Sequence, residues 1–144
     1  MFDVNIKIKQ IGNGILPIYK REGDVCLDCC SRKQILVSAG GGRRTVPLGF
    51  ALELPSFCEA IIRPRSGLTK DGIDVAIGTI DSNYRGEVMA CIINNSEEDF
   101  QIEAGDRICQ LAVREVPRVT LQVVSELSET ERGADGFGST GLKN

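Results

Sequence analysis

A carboxylate that follows an apolar residue and precedes a turn is a candidate base for an attacking water. Asp81 stands there, within Gly78-Thr79-Ile80-Asp81-Ser82-Asn83-Tyr84-Arg85-Gly86-Glu87. Such a chain delivers the carboxylate to the rim of a hydrophobic pocket, where it can orient water and take its proton. The same residues suit a plainer role, an Asp capping the Ser82-Asn83 turn beside a half-buried hairpin tyrosine, Tyr84. Upstream, Arg63-Pro64-Arg65-Ser66-Gly67-Leu68 joins guanidinium, hydroxyl and the backbone N–H groups of a helix start, which together suit an anion. Alone, so short a stretch reads as readily as a loop with a solvated arginine.

Two further stretches carry polar groups in unusual company. Gly105-Asp106-Arg107-Ile108-Cys109-Gln110-Leu111 reads as a turn entering a core strand, with Asp106 and Arg107 as a structural pair. Gln110 is its odd member, because a side-chain amide in an apolar run needs a hydrogen-bonding partner wherever it points inward. Arg132-Gly133-Ala134-Asp135-Gly136-Phe137-Gly138-Ser139-Thr140-Gly141 holds a literal G-x-G-x-x-G, but no strand precedes it, so it is no Rossmann fingerprint. Gly40-Gly41-Gly42 likewise lacks the Gly-Lys-Ser/Thr ending of a P-loop. A glycine-rich arm with one Arg and one Phe suits closure over a nucleotide; its composition equally describes a disordered tail.

Composition narrows the chemistry. The 144 residues contain no His, which removes Ser-His-Asp triads, Cys-His dyads and zincin-type sites together. Acid–base work falls to Asp, Glu, Lys, Tyr or water, and a carboxylate acting on water with a metal ion becomes the leading chemistry. A formal charge of -3 argues against a duplex-DNA partner, which normally meets a basic excess, yet leaves room for a small polyphosphate held by a few Arg. No apolar run reaches the length of a bilayer span and the first ten residues alternate, so neither a membrane nor a signal peptide is expected. The six cysteines are then expected as free, mostly buried thiols in a reducing cytoplasm. Cys26 and Cys29 make a C-x-x-C, but the second pair that a structural zinc needs is missing.

The elements that must position these residues read as strands. Val4, Ile6 and Ile8 alternate with polar neighbours, and further strands are expected over residues 34–37, 45–54, 57–63, 73–77, 87–94, 107–113 and 119–124. Turn residues separate them at Gly40-Gly41-Gly42, Pro55-Ser56, Asp71-Gly72, Asn94-Asn95-Ser96 and Ala104-Gly105-Asp106. Only residues 66–70 look free to form a short helix. The expectation is an all-β, single-domain, antiparallel jelly-roll-like sandwich or barrel over residues 1–124. Residues 125–144 are acidic and then glycine-rich, and are expected to form a flexible C-terminal arm.

In this order, the stretches at residues 64–68, 78–87, 105–111 and 132–141 closely resemble the signature motifs of trimeric dUTP pyrophosphatases. The likeness spans nearly the whole chain. A first motif departs from the family pattern: Val25-Cys26-Leu27-Asp28-Cys29-Cys30 stands where the family usually has Ala-Gly, an apolar or aromatic residue, then Asp-Leu. The resemblance implies a homotrimer whose sites are shared between subunits, hydrolysing dUTP to dUMP and pyrophosphate with Mg²⁺. Such an activity limits uracil in DNA and supplies dUMP for dTTP synthesis.

By the same resemblance, Asp81 activates the water that attacks the α-phosphorus. The hairpin backbone around Gly78, Thr79, Ile80 and Met89 holds uracil, and Tyr84 packs on the deoxyribose and excludes a 2′-hydroxyl. Arg65, Ser66, Gly67 and Gln110 contact phosphates from the body of the enzyme. Arg132, Gly138 and Ser139 close on the terminal phosphates from the arm, with Phe137 stacked on uracil. Asp28 holds a water of the metal. The fold leaves two rivals, a dCTP deaminase, which attacks the base and releases ammonia, and a nucleotide-binding protein that performs no hydrolysis.

Overall fold

The computed structural model describes residues 3–138 and 141, and among these the regular structure is nearly all strand. Four sheets form. The largest is four-stranded, in the order β2 (Leu27–Cys30), β11 (Arg107–Glu115), β6 (Cys58–Arg63), β8 (Gly78–Ile80). A three-stranded sheet runs β4 (Gly42–Pro47), β9 (Met89–Asn94), β7 (Ile73–Val75). Two pairs complete the set, β1 (Lys7–Gln10) with β5 (Phe50–Glu53) and β3 (Ile35–Val37) with β10 (Phe100–Ile102). All these pairings are antiparallel. The single short helix, α1 (Ser66–Thr69), lies where the sequence leaves room for one.

Alternation decides which side chains fill the core. Along β9 the even-numbered Ala90, Ile92 and Asn94 are buried while Met89 is exposed, the period of two that a half-buried strand requires. Phe50, Leu48, Ile62, Ile92, Ile102 and Ile108 are among the largest side chains withdrawn fully from water. Each contributes about 1.5–3 kcal/mol relative to an exposed position. Asn94 is the polar exception at 0% exposure, and it is fully satisfied. Its Nδ2 donates to the carbonyls of Val37 (2.9 Å) and Glu98 (2.8 Å), and its Oδ1 accepts from Ser96 N and Oγ.

Several expectations need correction. The strand expected over 45–54 is two strands, because the chain changes sheets at Leu48-Gly49. Gly49 has φ +78° and its Cα lies against Gly14, where a side chain on either residue would collide with backbone. The N-terminal strand sits later than Val4 and Ile6, starting at Lys7; Val4 and Ile6 still pack on the core, and Ile8 is exposed. Strands β2, β8 and β10 went unread, being short and, in β2, built of Asp and Cys rather than alternating apolar residues.

No strand forms over 119–124. Among the described residues no strand pairs with that segment, and Val119, Leu121 and Val123 stand 79%, 88% and 98% exposed. Its β pattern lacks an edge to join. After Glu115 the described residues contain no further helix or strand. Among the described residues no helix is long and apolar enough to cross a membrane. All six cysteines are free thiols, four of them buried.

Candidate active site

Strand β8 lies at the edge of the four-stranded sheet, bonded to β6 alone, with Ile62 opposite Gly78 and Ala60 opposite Ile80. Its other backbone edge is left without a strand. The chain then leaves this sheet, turns at Asp81, and enters the other sheet at Met89. The expected hairpin is therefore not a paired one: β8 and β9 belong to different sheets, and a cavity of about 230 Å³ opens where they part. Gly78, Thr79, Ile80, Asp81, Tyr84 and Met89 all line it, with Ile62 and Val88 as its apolar floor. The two floor residues are core residues, and nothing in their sequence context distinguishes them from the rest of the core.

The Asp81 turn is closed by backbone, with Tyr84 N–H donating to Asp81 O at 3.0 Å. Among the described residues no donor engages the Asp81 carboxylate, so it does not cap the turn and stands exposed at the cavity rim. Tyr84 folds back over the turn and its hydroxyl donates to Glu87 O at 3.0 Å. A carboxylate without a structural partner, beside an apolar cavity with an open strand edge, can receive a planar polar ring and activate water next to it.

A second cluster assembles around Asp28. Arg107 Nη1 donates to Asp28 Oδ2 at 2.9 Å, and Arg65 Nε lies 3.8 Å from Oδ1. Arg65 Nη1 also donates to Arg107 O at 2.6 Å. Register explains the gathering, since β11 sets Gln110 opposite Asp28 on one side and opposite Arg63 on the other. Gln110 Nε2 finds its partner in Pro64 O (2.9 Å), bracing the loop that carries Arg65. Ser66 and Gly67 are exposed in α1, and their N–H groups meet no acceptor among the described residues. Arg107 was read as pairing with Asp106; instead it pairs with Asp28, while Asp106 accepts from Glu103 N–H. This cluster and the Asp81 cavity share no residue.

The arm joins neither. Arg132 Nε donates to Asp135 O at 2.9 Å, and Phe137, at φ +50°, is fully exposed. Gly138 is exposed as well, and Ser139 lies outside the described residues. Three buried thiols are poor nucleophiles: a hydrogen bond with Cys109 and burial push the Cys29 thiol up, and burial raises Cys30 and Cys58. Among the described residues no group of three or more Cys, Asp or Glu converges on a metal position.

The family model for dUTPase matches residues 13–141. The deoxyuridine 5'-triphosphate nucleotidohydrolase of Clostridium acetobutylicum is 45% identical, the match covering 97% of this chain and 99% of that protein. Its counterpart in Rickettsia felis is 44% identical over 95% of this chain and 97% of that one. The chain belongs to the dUTPase family. Solved dUTPases agree in fold: that of Staphylococcus bacteriophage 80alpha with dUPNHPP superposes with a TM-score of 0.90 at 23% identity, covering 96% of this chain and 99% of that one. The dUTPase of phage phi11 of S. aureus, described for its structural Mg(II) ion, gives 0.81 at 18% identity over 87% of this chain and 99% of that one. The Asp81 cavity and the Asp28 cluster are built largely from the stretches singled out from the sequence.

Proposed function

We propose that the chain hydrolyses dUTP to dUMP and pyrophosphate at the Asp81 cavity. The observation that carries the reading is an unpartnered carboxylate at the rim of a cavity whose wall is the open edge of β8. Uracil sits on the backbone of Gly78, Thr79, Ile80 and Met89, where unpaired N–H and C=O groups mimic a complementary base edge. Cytosine presents the opposite donor pattern and leaves those groups unmatched. Tyr84 covers the deoxyribose and fills the space of a 2′-hydroxyl. Asp81 takes the proton from a water, whose oxygen bonds to the α-phosphorus; the bond to the bridging oxygen breaks, and pyrophosphate leaves with the electron pair.

The phosphates need positive charge and hydrogen-bond donors. Arg65 supplies charge from the body, with Ser66, Gly67 and Gln110 as donors; Arg132 supplies charge from the arm, with Gly138 and Ser139 as donors and Phe137 on the base. The Asp28 cluster supports the first set, since it presents Arg65 and free N–H groups together. Mg²⁺ fits this chemistry as a phosphate-borne ion, because the described residues offer no carboxylate cage and Mg²⁺ keeps its waters readily. Asp28, with oxygen donors beside the arginines, is the residue that would hold one of those waters. When bound, the ion screens the triphosphate and polarises the phosphoryl oxygens.

A homotrimer with shared sites is part of the proposal. In its favour, the Asp81 cavity and the Asp28 cluster share no residue, and residues 119–127 carry an exposed apolar row with no partner among the described residues. Residues 1–124 then form the body and 125–144 the arm that completes a site. The free thiols suit a reducing cytoplasm, where the activity limits uracil incorporation into DNA and supplies dUMP for dTTP synthesis. The test is pyrophosphate release from dUTP, with and without EDTA, and with dCTP alongside. Hydrolysis of dUTP that EDTA suppresses is expected; ammonia from dCTP, or binding of dUTP without turnover, would overturn the reading.

A further inference from the structure

Tyr84 is 44% exposed, and its ring is tethered at its far end by one hydrogen bond, from the hydroxyl to Glu87 O. Whatever fixes that carbonyl therefore fixes the ring. Glu87 is held to an unusual degree for a loop residue. Arg32 grips its carboxylate with two parallel bonds, Nε to Oε1 at 2.7 Å and Nη2 to Oε2 at 2.9 Å. Gly49 N–H adds a third to Oε1 at 3.0 Å. Both side chains are only 20% exposed, so water competes weakly for these bonds. The Arg32 guanidinium and the Gly49 N–H hold the Glu87 carboxyl below the usual carboxylate range.

Arg32 is itself anchored in the body, its N–H donating to Pro47 O at 2.8 Å and its carbonyl accepting from Asn13 Nδ2. On the other side, Gly86 gives the ring its place: a Cβ there would collide with the Tyr84 hydroxyl and its ring carbon. The bond from Tyr84 to Glu87 and the missing Cβ at Gly86 define one pose. The grip of Arg32 keeps that pose in register with the cavity, because Val88, next in the chain, forms part of the floor.

We infer that Arg32 and Glu87 are positioning residues that fix the Tyr84 ring and thereby set how strictly the enzyme rejects a ribonucleotide. The inference rests on the proposed placement of Tyr84 against the sugar. It makes discrimination depend on a side chain that touches no substrate. Losing Arg32 leaves Glu87 with the Gly49 bond alone, and the carbonyl that receives the Tyr84 hydroxyl gains freedom. The ring then yields to a 2′-hydroxyl more readily, while uracil recognition by β8 is unchanged.

The experiment compares kcat/KM for dUTP and UTP in Arg32→Met, Tyr84→Phe, their double variant and Tyr84→Ala, each checked by thermal melting. Arg32→Met should lower the dUTP-over-UTP ratio by about fivefold, and Tyr84→Phe by a similar factor, the worth of one hydrogen bond. The double variant should fall no further than Tyr84→Phe, since both act through one bond. A folded Arg32→Met protein with an unchanged ratio, while Tyr84→Ala shifts it, overturns the positioning role and leaves Tyr84 as sugar reader. A ratio unmoved in Tyr84→Ala overturns the reading of Tyr84 itself, and the inference with it. Should Arg32→Met fail to fold, Arg32→Lys keeps the charge without the two-pronged grip, and a ratio unchanged there overturns the inference equally.

Discussion

The segment from Gly78 to Met89 and the segment after Glu115 both carry candidate site residues singled out from the sequence, yet the fold treats them differently. The first is fastened at both ends, by β8 to one sheet and by β9 to another, and its side chains converge on one cavity. The second is fastened only at its start, where Val116 N–H donates to Phe57 O at 2.7 Å; further on, Arg132 bonds to its own turn and Phe137 faces solvent. A single chain thus builds in advance the part that would recognise base and sugar. It leaves the part that would close on the phosphates to be ordered later. The physical reason is apolar content, since the fastened segment ends in Ile80 and Val88, both buried, while residues 128–138 offer one aromatic and no core neighbour.

The sharpest way to break this contrast is at its built-in half. Asp81→Asn keeps the shape of the cavity rim but cannot take a proton, so turnover should fall on the order of a hundredfold or more with dUTP binding retained. Steady-state pyrophosphate release and equilibrium binding measure the two separately, and near-normal turnover would remove Asp81 from its role. The unfastened half is tested by ending the chain after Leu127. The body should melt as before, because residues 128–138 hold no core side chain and those beyond them are mostly Gly and polar. Activity should nonetheless drop about tenfold or more, as closure and its added charge act on the chemical step. If the arm serves a neighbouring subunit, mixing truncated and full-length Asp81→Asn chains restores activity. Mixtures that stay inactive after confirmed subunit exchange would show that the arm does not cross.

Smaller effects sharpen the comparison further. Tyr84→Ala should open the cavity wall and relax the preference for dUTP over UTP about tenfold, read as a ratio of kcat/KM values. An unchanged ratio would assign sugar selection elsewhere. Smallest is the acid dependence of the Arg32–Glu87 pair. The Glu87 carboxyl sits below its unfolded value, so its stabilisation is complete above about pH 4.3 and is lost as pH falls through the folded value. Thermal melts of the native chain and Glu87→Gln should therefore differ at neutral pH and converge in acid. Equal melting temperatures throughout would show that the pair adds nothing to stability.

Much of this was legible without coordinates because it depends on local chemistry. The absence of His, the order of the motifs and the period-two apolar pattern are properties of the chain itself, and they pointed to a carboxylate on water within an all-β family. The short helix and the glycine turns followed from residue type. The chain-reversing turn at Asp81 was readable too, although its capping role was not what the carboxylate does.

Tertiary structure decided what depends on partners distant in sequence. That β8 is an edge strand follows from its pairing with β6, and no local signal marks an open edge. Ile62 and Val88 became a cavity floor only because two sheets part there. Arg107 turned from Asp106 to Asp28 because β11 runs beside β2, a neighbour 79 residues away. Arg32 met Glu87 across 55 residues, and no feature of the sequence pointed to their pairing. Residues 119–124 carry a strand pattern but form no strand, since propensity proposes an extended chain and only an available edge completes it. Local pattern fixes what each segment is able to become; which groups meet depends on register and sheet order, and those are set by the packing of the whole chain.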